Sequence, residues 1–156
     1  MDSKARSTAI SRMRWRSATG EAVPSGYGYL HLSDQSPAWL RIHSQTCRGK
    51  SYGDVVVSSI TFAELMYGIA KSRFQKQNQR AAHLFFAHFP ILPFDQAAAE
   101  AYGWIRVRLE TRGSPIGPLD TLIAAHAVSV GAVIVTNNTK EFSRVENLAV
   151  ENWSKE

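Results

Sequence analysis

This 156-residue sequence has a single cysteine, no long apolar run and no even spread of positive charge. Cys47 is the only cysteine, so the chain can form neither an internal disulfide nor a cysteine-based zinc site. No apolar run reaches the roughly 18 residues that span a membrane. The Arg- and Ser-rich start also lacks the apolar stretch of a secretory signal. We therefore expect a cytoplasmic protein without a membrane partner.

Excess positive charge is missing from the larger part of the chain. The formal net charge is +5, but residues 1–53 hold eight Lys or Arg against three acids, whereas residues 54–156 hold ten of each. Because the excess lies in the N-terminal third, global basicity does not indicate that the remaining body binds nucleic acid.

Regular structure is predicted only from Asp54 onward. Residues 1–53 scatter Gly, Pro and Ser among isolated apolar residues, which predicts a basic, poorly structured segment. Residues 54–156 alternate β-branched strands with amphipathic helices, which predicts an α/β sandwich with a mostly parallel sheet. Strands are predicted at 55–57, 132–136 and 148–151, and residues 91–94 are a short edge strand or a link. Helices are predicted at 61–72, 77–88, 95–112 and from Pro118 to 127, and residues 140–144 form a short turn or helix.

Three acidic residues follow predicted strands or begin predicted helices: Glu64, Asp120 and Glu141. In α/β folds, sites form at the carboxyl ends of the strands. Hard cations such as Mg²⁺ take carboxylate oxygens there, together with water and substrate phosphate. A cation held in this way activates water and neutralises charge on a phosphodiester. Spacing alone does not show that the three carboxylates converge.

Each acid also has a purely structural interpretation. Thr61-x-x-Glu64 matches a capping box, in which Glu64 closes the start of a helix. Asp120 would be favoured by the helix dipole in a first turn, and Glu141 could be a solvated residue beside Lys140. These alternatives stay open at the level of sequence.

Other polar and aromatic residues are given structural roles. Asp95 is interpreted as a helix cap, and His126 as a packed or partnered histidine rather than a base. Ser58 and Ser59 show no arrangement with histidine and an acid that would indicate a nucleophile. Four aromatic residues are assigned to the core or a dimer surface rather than to base stacking: Phe85, Phe86, Phe89 and Trp104.

The segments that carry the acids resemble a known family. VVSSITFAELMYG (56–68), GPLDTLIAAHA (117–127), VTNNTKEF (135–142) and the ending VENW (150–153) resemble the successive motifs of VapC toxins of the PIN-domain superfamily. The motifs occur in family order, and the resemblance covers about 54–153.

The resemblance implies a PIN-like α/β/α sandwich and a toxin-type endoribonuclease of a toxin–antitoxin pair. It implies that Glu64 and Asp120 ligate Mg²⁺ or Mn²⁺, with Glu141 or Asn138 completing the site. We prefer Glu141, because a carboxylate holds a cation better than an amide. The implied partners are an RNA substrate (transfer RNA or another structured RNA), a cognate antitoxin and a second copy of the chain.

The family's opening strand, which carries a Leu-Asp-Thr motif with a metal-binding aspartate, has no match. Asp34 stands in no strand context and Asp2 in a polar tail. We therefore predict that the first strand is replaced or missing, that residues 27–32 substitute for it in part, and that activity is impaired.

A shifted reading frame accounts for the missing strand. With permissible codons, residues 26–35 read one base later give Asp-Thr-Gly-Ile-Cys-Ile-Cys-Leu-Ile-Lys, close to the family's opening motif. We infer a gene shifted out of frame upstream of about Asp54. The chain is then a ribonuclease, a catalytically inactive remnant that binds antitoxin or RNA, or an unstable product of a frame-disrupted gene.

Overall fold

The alternation of strands and helices predicted from Asp54 onward is present in the computed structural model, which describes residues 12–14 and 55–152. The first two helices each begin two residues earlier than predicted. In chain order the elements are β1 Arg12–Arg14, β2 Val55–Ser58, α1 Ser59–Ala70, α2 Gln75–Phe86, β3 Ile91–Leu92, α3 Gln96–Thr111, α4 Pro118–Ser129, β4 Val133–Val135, α5 Thr139–Phe142 and β5 Val150–Glu151.

Helix ends follow local chemistry at three predicted positions. The carboxylate of Asp95 accepts a hydrogen bond from Ala98 N at 3.0 Å and caps α3, which confirms its predicted role. Gly113 follows the end of α3 with φ +63°, a conformation that only glycine adopts at little cost. Pro118 is the first residue of α4, where its missing N–H is not needed.

The start of α1 corrects one prediction. Ser58, not Thr61, is the N-cap, and its hydroxyl accepts a hydrogen bond from Ile60 N at 3.2 Å. Thr61 is buried within the helix, so Glu64 lies too far from the first free N–H groups to close a capping box. The capping interpretation of Glu64 is therefore wrong.

Within residues 12–14 and 55–152, five strands form one sheet in the order β3-β2-β1-β4-β5. The pairs β2–β3 and β4–β5 are parallel, whereas β1 is antiparallel to both β2 and β4. Strands β2 to β5 therefore point in one direction, as expected for a mostly parallel sheet, and β1 alone is reversed.

The central strand of the sheet, β1, comes from an unexpected part of the chain. Residues 1–53 were predicted to be poorly structured, but 12–14 form β1, so that prediction is wrong for these three residues. Met13 is paired with Val56 on one side and Ile134 on the other, and Arg12 with Val135. Residues 27–32, predicted to substitute for the first strand, lie outside the described residues.

Helices cover both faces of the sheet and make two apolar cores. Val57 and Val135 pack with α1 and α2 in one core, and Val56 and Ile134 pack with α3, α4 and α5 in the other. Burial of both faces explains why these strands read as continuous β-branched runs rather than alternating ones. The predicted α/β/α layering is thus present.

The aromatic residues divide between core and surface. Burial confirms the core assignment for three of them, Phe85, Phe86 and Phe89, whereas Trp104 on α3 is 72% exposed. Across 55–152 no helix has the length and apolarity needed to span a bilayer.

A proline in β1 tests whether this short segment holds the centre of the sheet. Met13→Pro removes a backbone N–H from a strand with neighbours on both sides. We expect the free energy of unfolding to fall by roughly 2–3 kcal/mol and the melting temperature by about 10 °C. Met13→Val, which keeps the N–H and suits a strand, is the control. Equal melting of the two variants would show that 12–14 do not hold this position.

Candidate active site

Asp120 and Glu141 meet at the carboxyl edge of the sheet. Asp120 is the third residue of α4, and Glu141 lies on α5, shortly after β4 ends. Glu141 lies near enough to raise the pKa of Asp120 through a side-chain hydrogen bond and through its charge. Asn138 Nδ2 donates to Asp120 Oδ2 at 3.4 Å, and Gly117 N donates to Glu141 Oε2 at 3.5 Å. The structure thus brings together two of the three predicted acids and the alternative ligand Asn138.

The proximity of these carboxylates changes the acidity of Asp120. Burial, then a side-chain hydrogen bond with Glu141 and the charges of Glu141 and Glu64, together raise the pKa of Asp120 from 3.8 to about 6. Like charges held together favour the neutral form of one of them. A cation between them would remove the repulsion, so the arrangement favours binding positive charge.

Glu64 is the third predicted acid and lies near enough to act on this pair. Its charge contributes to the raised pKa of Asp120, and burial raises the pKa of Glu64 itself. Among 12–14 and 55–152 it has no hydrogen-bond or ion-pair partner. A half-buried carboxylate without a partner is costly unless a ligand compensates it.

Gly117 leaves room for the side chain of Asp120. A Cβ at Gly117 would lie 3.3 Å from Asp120 Oδ2. Its φ of −55° is open to any residue, so the restriction comes from space and not from backbone strain. This requirement had no signal in the sequence, because it depends on the direction of a neighbouring side chain.

Sequence reasoning also missed a buried contact between Ser58 and His126. Ser58 Oγ and His126 Nδ1 are 2.9 Å apart, although the residues are 68 positions apart in the chain. Burial lowers the pKa of His126, against an opposing effect of Asp95. The predicted role of His126 as a packed, partnered histidine is confirmed. Ser58 is 0% exposed and His126 1%, so the pair is closed to substrate and is not a nucleophilic site.

The types of ligand present at this site suit a hard divalent cation, but the number of ligands is too small to complete its coordination. Carboxylate and amide oxygens are the ligands that Mg²⁺ and Mn²⁺ take, usually with water and phosphate filling the remaining positions. In the part of the chain that the structure describes, however, no three His, Cys, Asp or Glu side chains gather closely enough to hold a metal ion. Glu141 acts on Asp120 through a hydrogen bond and its charge, and Glu64 acts through its charge alone.

Comparison with known proteins identifies the fold. The family model described as "PIN domain" matches residues 38–148. The chain belongs to the PIN-domain family. The match begins upstream of Asp54, where the predicted body starts.

Curated relatives and a solved structure place the chain near the VapC proteins of this family. It is 45% identical over 101 residues to Ribonuclease VapC2 of Rickettsia felis, covering 65% of this chain and 75% of that protein. It is 45% identical over 102 residues to the tRNA(fMet)-specific endonuclease VapC of Shigella flexneri, covering 65% and 77%. The DNA-bound VapBC structure from Salmonella typhimurium superposes with a TM-score of 0.65 at 37% identity, covering 75% of this PIN-domain chain and 86% of that one.

Proposed function

We propose that this PIN-domain protein is a toxin-type endoribonuclease that hydrolyses RNA phosphodiester bonds with Mg²⁺ or Mn²⁺. The catalytic body is 54–156, and the metal-binding residues are Glu64, Asp120 and Glu141. The observation that carries the proposal is that Asp120 and Glu141, from separate helices, lie near enough for Glu141 to act with burial in raising the pKa of Asp120 to about 6. Such strongly perturbed acids are concentrated at functional sites. VapC relatives named as ribonucleases support the RNA substrate.

Each residue near the pair has a definite task in this proposal. Asp120 and Glu141 would hold the cation, which when bound supplies a polarised water and neutralises charge on the phosphate. Gly117 N–H orients the Glu141 carboxylate. Asn138 lies against Asp120, and turning its amide would present an oxygen to the cation. Above a pH of about 6 Asp120 is mostly ionised and able to ligate.

We propose further that the activity is lower than in relatives with a complete acidic set. In a parallel strand the last residue reaches the carboxyl edge of the sheet, whereas the reversed β1 brings its first residue there. Arg12 pairs with Val135, the last residue of β4. Among 12–14 and 55–152, no carboxylate enters the site from the central strand. Loss of a charged ligand weakens metal binding, because the remaining acids do not replace its geometry.

A second candidate is a binding module without catalysis. The absence of a three-donor cluster in the described residues favours it. Solved neighbours are VapBC complexes, and we propose an antitoxin as partner and a homodimer as assembly.

The proposed shift of reading frame upstream of about Asp54 concerns residues 26–35, which lie outside the described residues. Translating the gene's DNA in the neighbouring frame would test this hypothesis. A translation that lacks a strand with an Asp-Thr motif would refute it.

RNA cleavage separates the two candidates. We expect the purified protein to cleave transfer RNA with Mg²⁺ or Mn²⁺ and to stop on chelation with EDTA. Glu64→Gln removes a proposed ligand and should lower the cleavage rate by about 100-fold or more. This loss is larger than the one expected when a residue that only orients a ligand is changed. Gel analysis of end-labelled RNA measures the rate.

A matched acid controls for loss of negative charge. Glu100 on α3 is exposed and bonds only within its helix, to Gln96. Glu100→Gln should therefore cleave at the unaltered rate. No cleavage by the unaltered protein, together with antitoxin binding, would support the binding module. Cleavage that Glu64→Gln leaves unchanged would contradict the assigned ligands.

A further inference from the structure

The buried bond between Ser58 and His126 joins the two halves of the candidate site. Ser58 is the last residue of β2 and the N-cap of α1, the helix that carries Glu64. His126 lies on α4, the helix that carries Asp120. The helices α1 and α4 belong to cores on opposite faces of the sheet. The bond therefore connects the two layers that supply the proposed ligands.

Further contacts fix the same junction. Ser59 Oγ accepts a hydrogen bond from Phe94 N at 3.1 Å. The Phe94 ring packs edge-on against the His126 ring, with centroids 5.7 Å apart. The start of α1, the loop after β3 and the last turn of α4 are thus closed into a ring of contacts. A hydrogen bond in so buried a place is costly to break, since the partner left behind has no water to replace it.

We propose that the Ser58–His126 hydrogen bond is a positioning device, which sets the distance and orientation of α1 relative to α4 and hence of Glu64 relative to Asp120. Neither residue touches the proposed cation or the RNA, so both act through the carboxylates. The inference rests on the proposed function for its effect on metal binding, but not for its effect on helix position.

Ser58→Gly is the sharpest test of this device. Glycine is tolerated as an N-cap, so the start of α1 is kept while the bond to His126 is lost. We expect the affinity for Mn²⁺, measured by titration calorimetry on the full chain, to fall about tenfold. Removing a group that orients metal ligands typically causes a loss of this size. His126→Leu should give the same loss, and the double variant no additional loss, because both remove one interaction.

Two further variants distinguish positioning from general stability. His126→Asn returns a polar atom near the position of Nδ1 and should recover most of the Mn²⁺ affinity. Ile69→Ala, which damages the buried face of α1 away from Ser58, should melt earlier but bind Mn²⁺ as the unaltered protein does. Equal loss of affinity in Ile69→Ala and Ser58→Gly would overturn the proposal.

A readout without metal keeps the inference separate from the proposed function. Nitroxide labels at Tyr67→Cys on α1 and Leu119→Cys on α4, both exposed positions, report the helix-to-helix distance in a Cys47→Ser background. We expect a narrow distribution that broadens and shifts in Ser58→Gly. If the unaltered protein binds no Mn²⁺ but the distance shifts, the metal site is wrong and the positioning role stands. An unchanged distance distribution refutes the positioning role whatever the metal result.

Discussion

Asp120→Asn is expected to abolish RNA cleavage and at the same time to stabilise the metal-free protein near neutral pH. The change removes a proposed ligand, so the rate should fall more than about 100-fold. It also removes the carboxyl whose pKa is raised to about 6 by burial, by the hydrogen bond and charge of Glu141 and by the charge of Glu64. That shift corresponds to at most about 3 kcal/mol. Because Asp120 is only half-buried and its charge partly screened, we expect a gain on the order of 1 kcal/mol.

The pH dependence gives this prediction its control. A carboxyl whose pKa is raised on folding holds its proton more tightly in the folded state, so stability is lost as pH rises from about 4 to about 6. Urea unfolding of both proteins should therefore coincide at about pH 4 and separate in favour of Asp120→Asn above about pH 6. A constant difference across this range would mean that the ionisation of Asp120 is not the cause.

Phe142→Ala is expected to remove a large part of the stability of the domain and to disrupt the candidate site with it. Phe142 is 0% exposed and is the largest of the fully buried side chains. Truncating such a residue costs about 3–5 kcal/mol, a large part of the 5–15 kcal/mol typical of whole domains. Because α5 has only four residues, this anchor holds Glu141 in place. Thermal unfolding and Mn²⁺ titration measure the two losses.

A phenylalanine on the surface supplies the matched control. Phe74 is 67% exposed, so Phe74→Ala removes the same atoms without leaving a cavity and should change stability by less than about 0.5 kcal/mol. Phe142→Leu should retain much of the buried volume and bind Mn²⁺ more tightly than Phe142→Ala. Similar melting of Phe142→Ala and Phe74→Ala would contradict the assigned anchor.

The elements after Asp54 were predictable because their signals are local. Asp95 caps α3 through an N–H three residues away, and Pro118 opens α4 at the one position where it is favoured. The capping prediction for Glu64 failed for a reason that is also local. Two hydroxyl residues, Ser58 and Thr61, compete for the same role, and the end of β2 places Ser58 at the first free N–H groups.

The candidate site was predictable as a set of residues, and its arrangement was not. The sequence pointed to Glu64, Asp120 and Glu141 through their places after strands and through a family resemblance. The close pairing of Asp120 with Glu141 depends on how α5 packs against α4. The space left by Gly117 depends on the direction of the Asp120 side chain, three residues further along the chain.

After Asp54 the sequence alone determined where strands and helices form, because capping and apolar periodicity act over a few residues. Tertiary structure decided which distant groups meet. It placed the basic segment 12–14, reversed, between two buried strands, and it joined Ser58 to His126 across the layers. Such contacts depend on the packing of the whole sheet, which a short stretch of sequence does not determine.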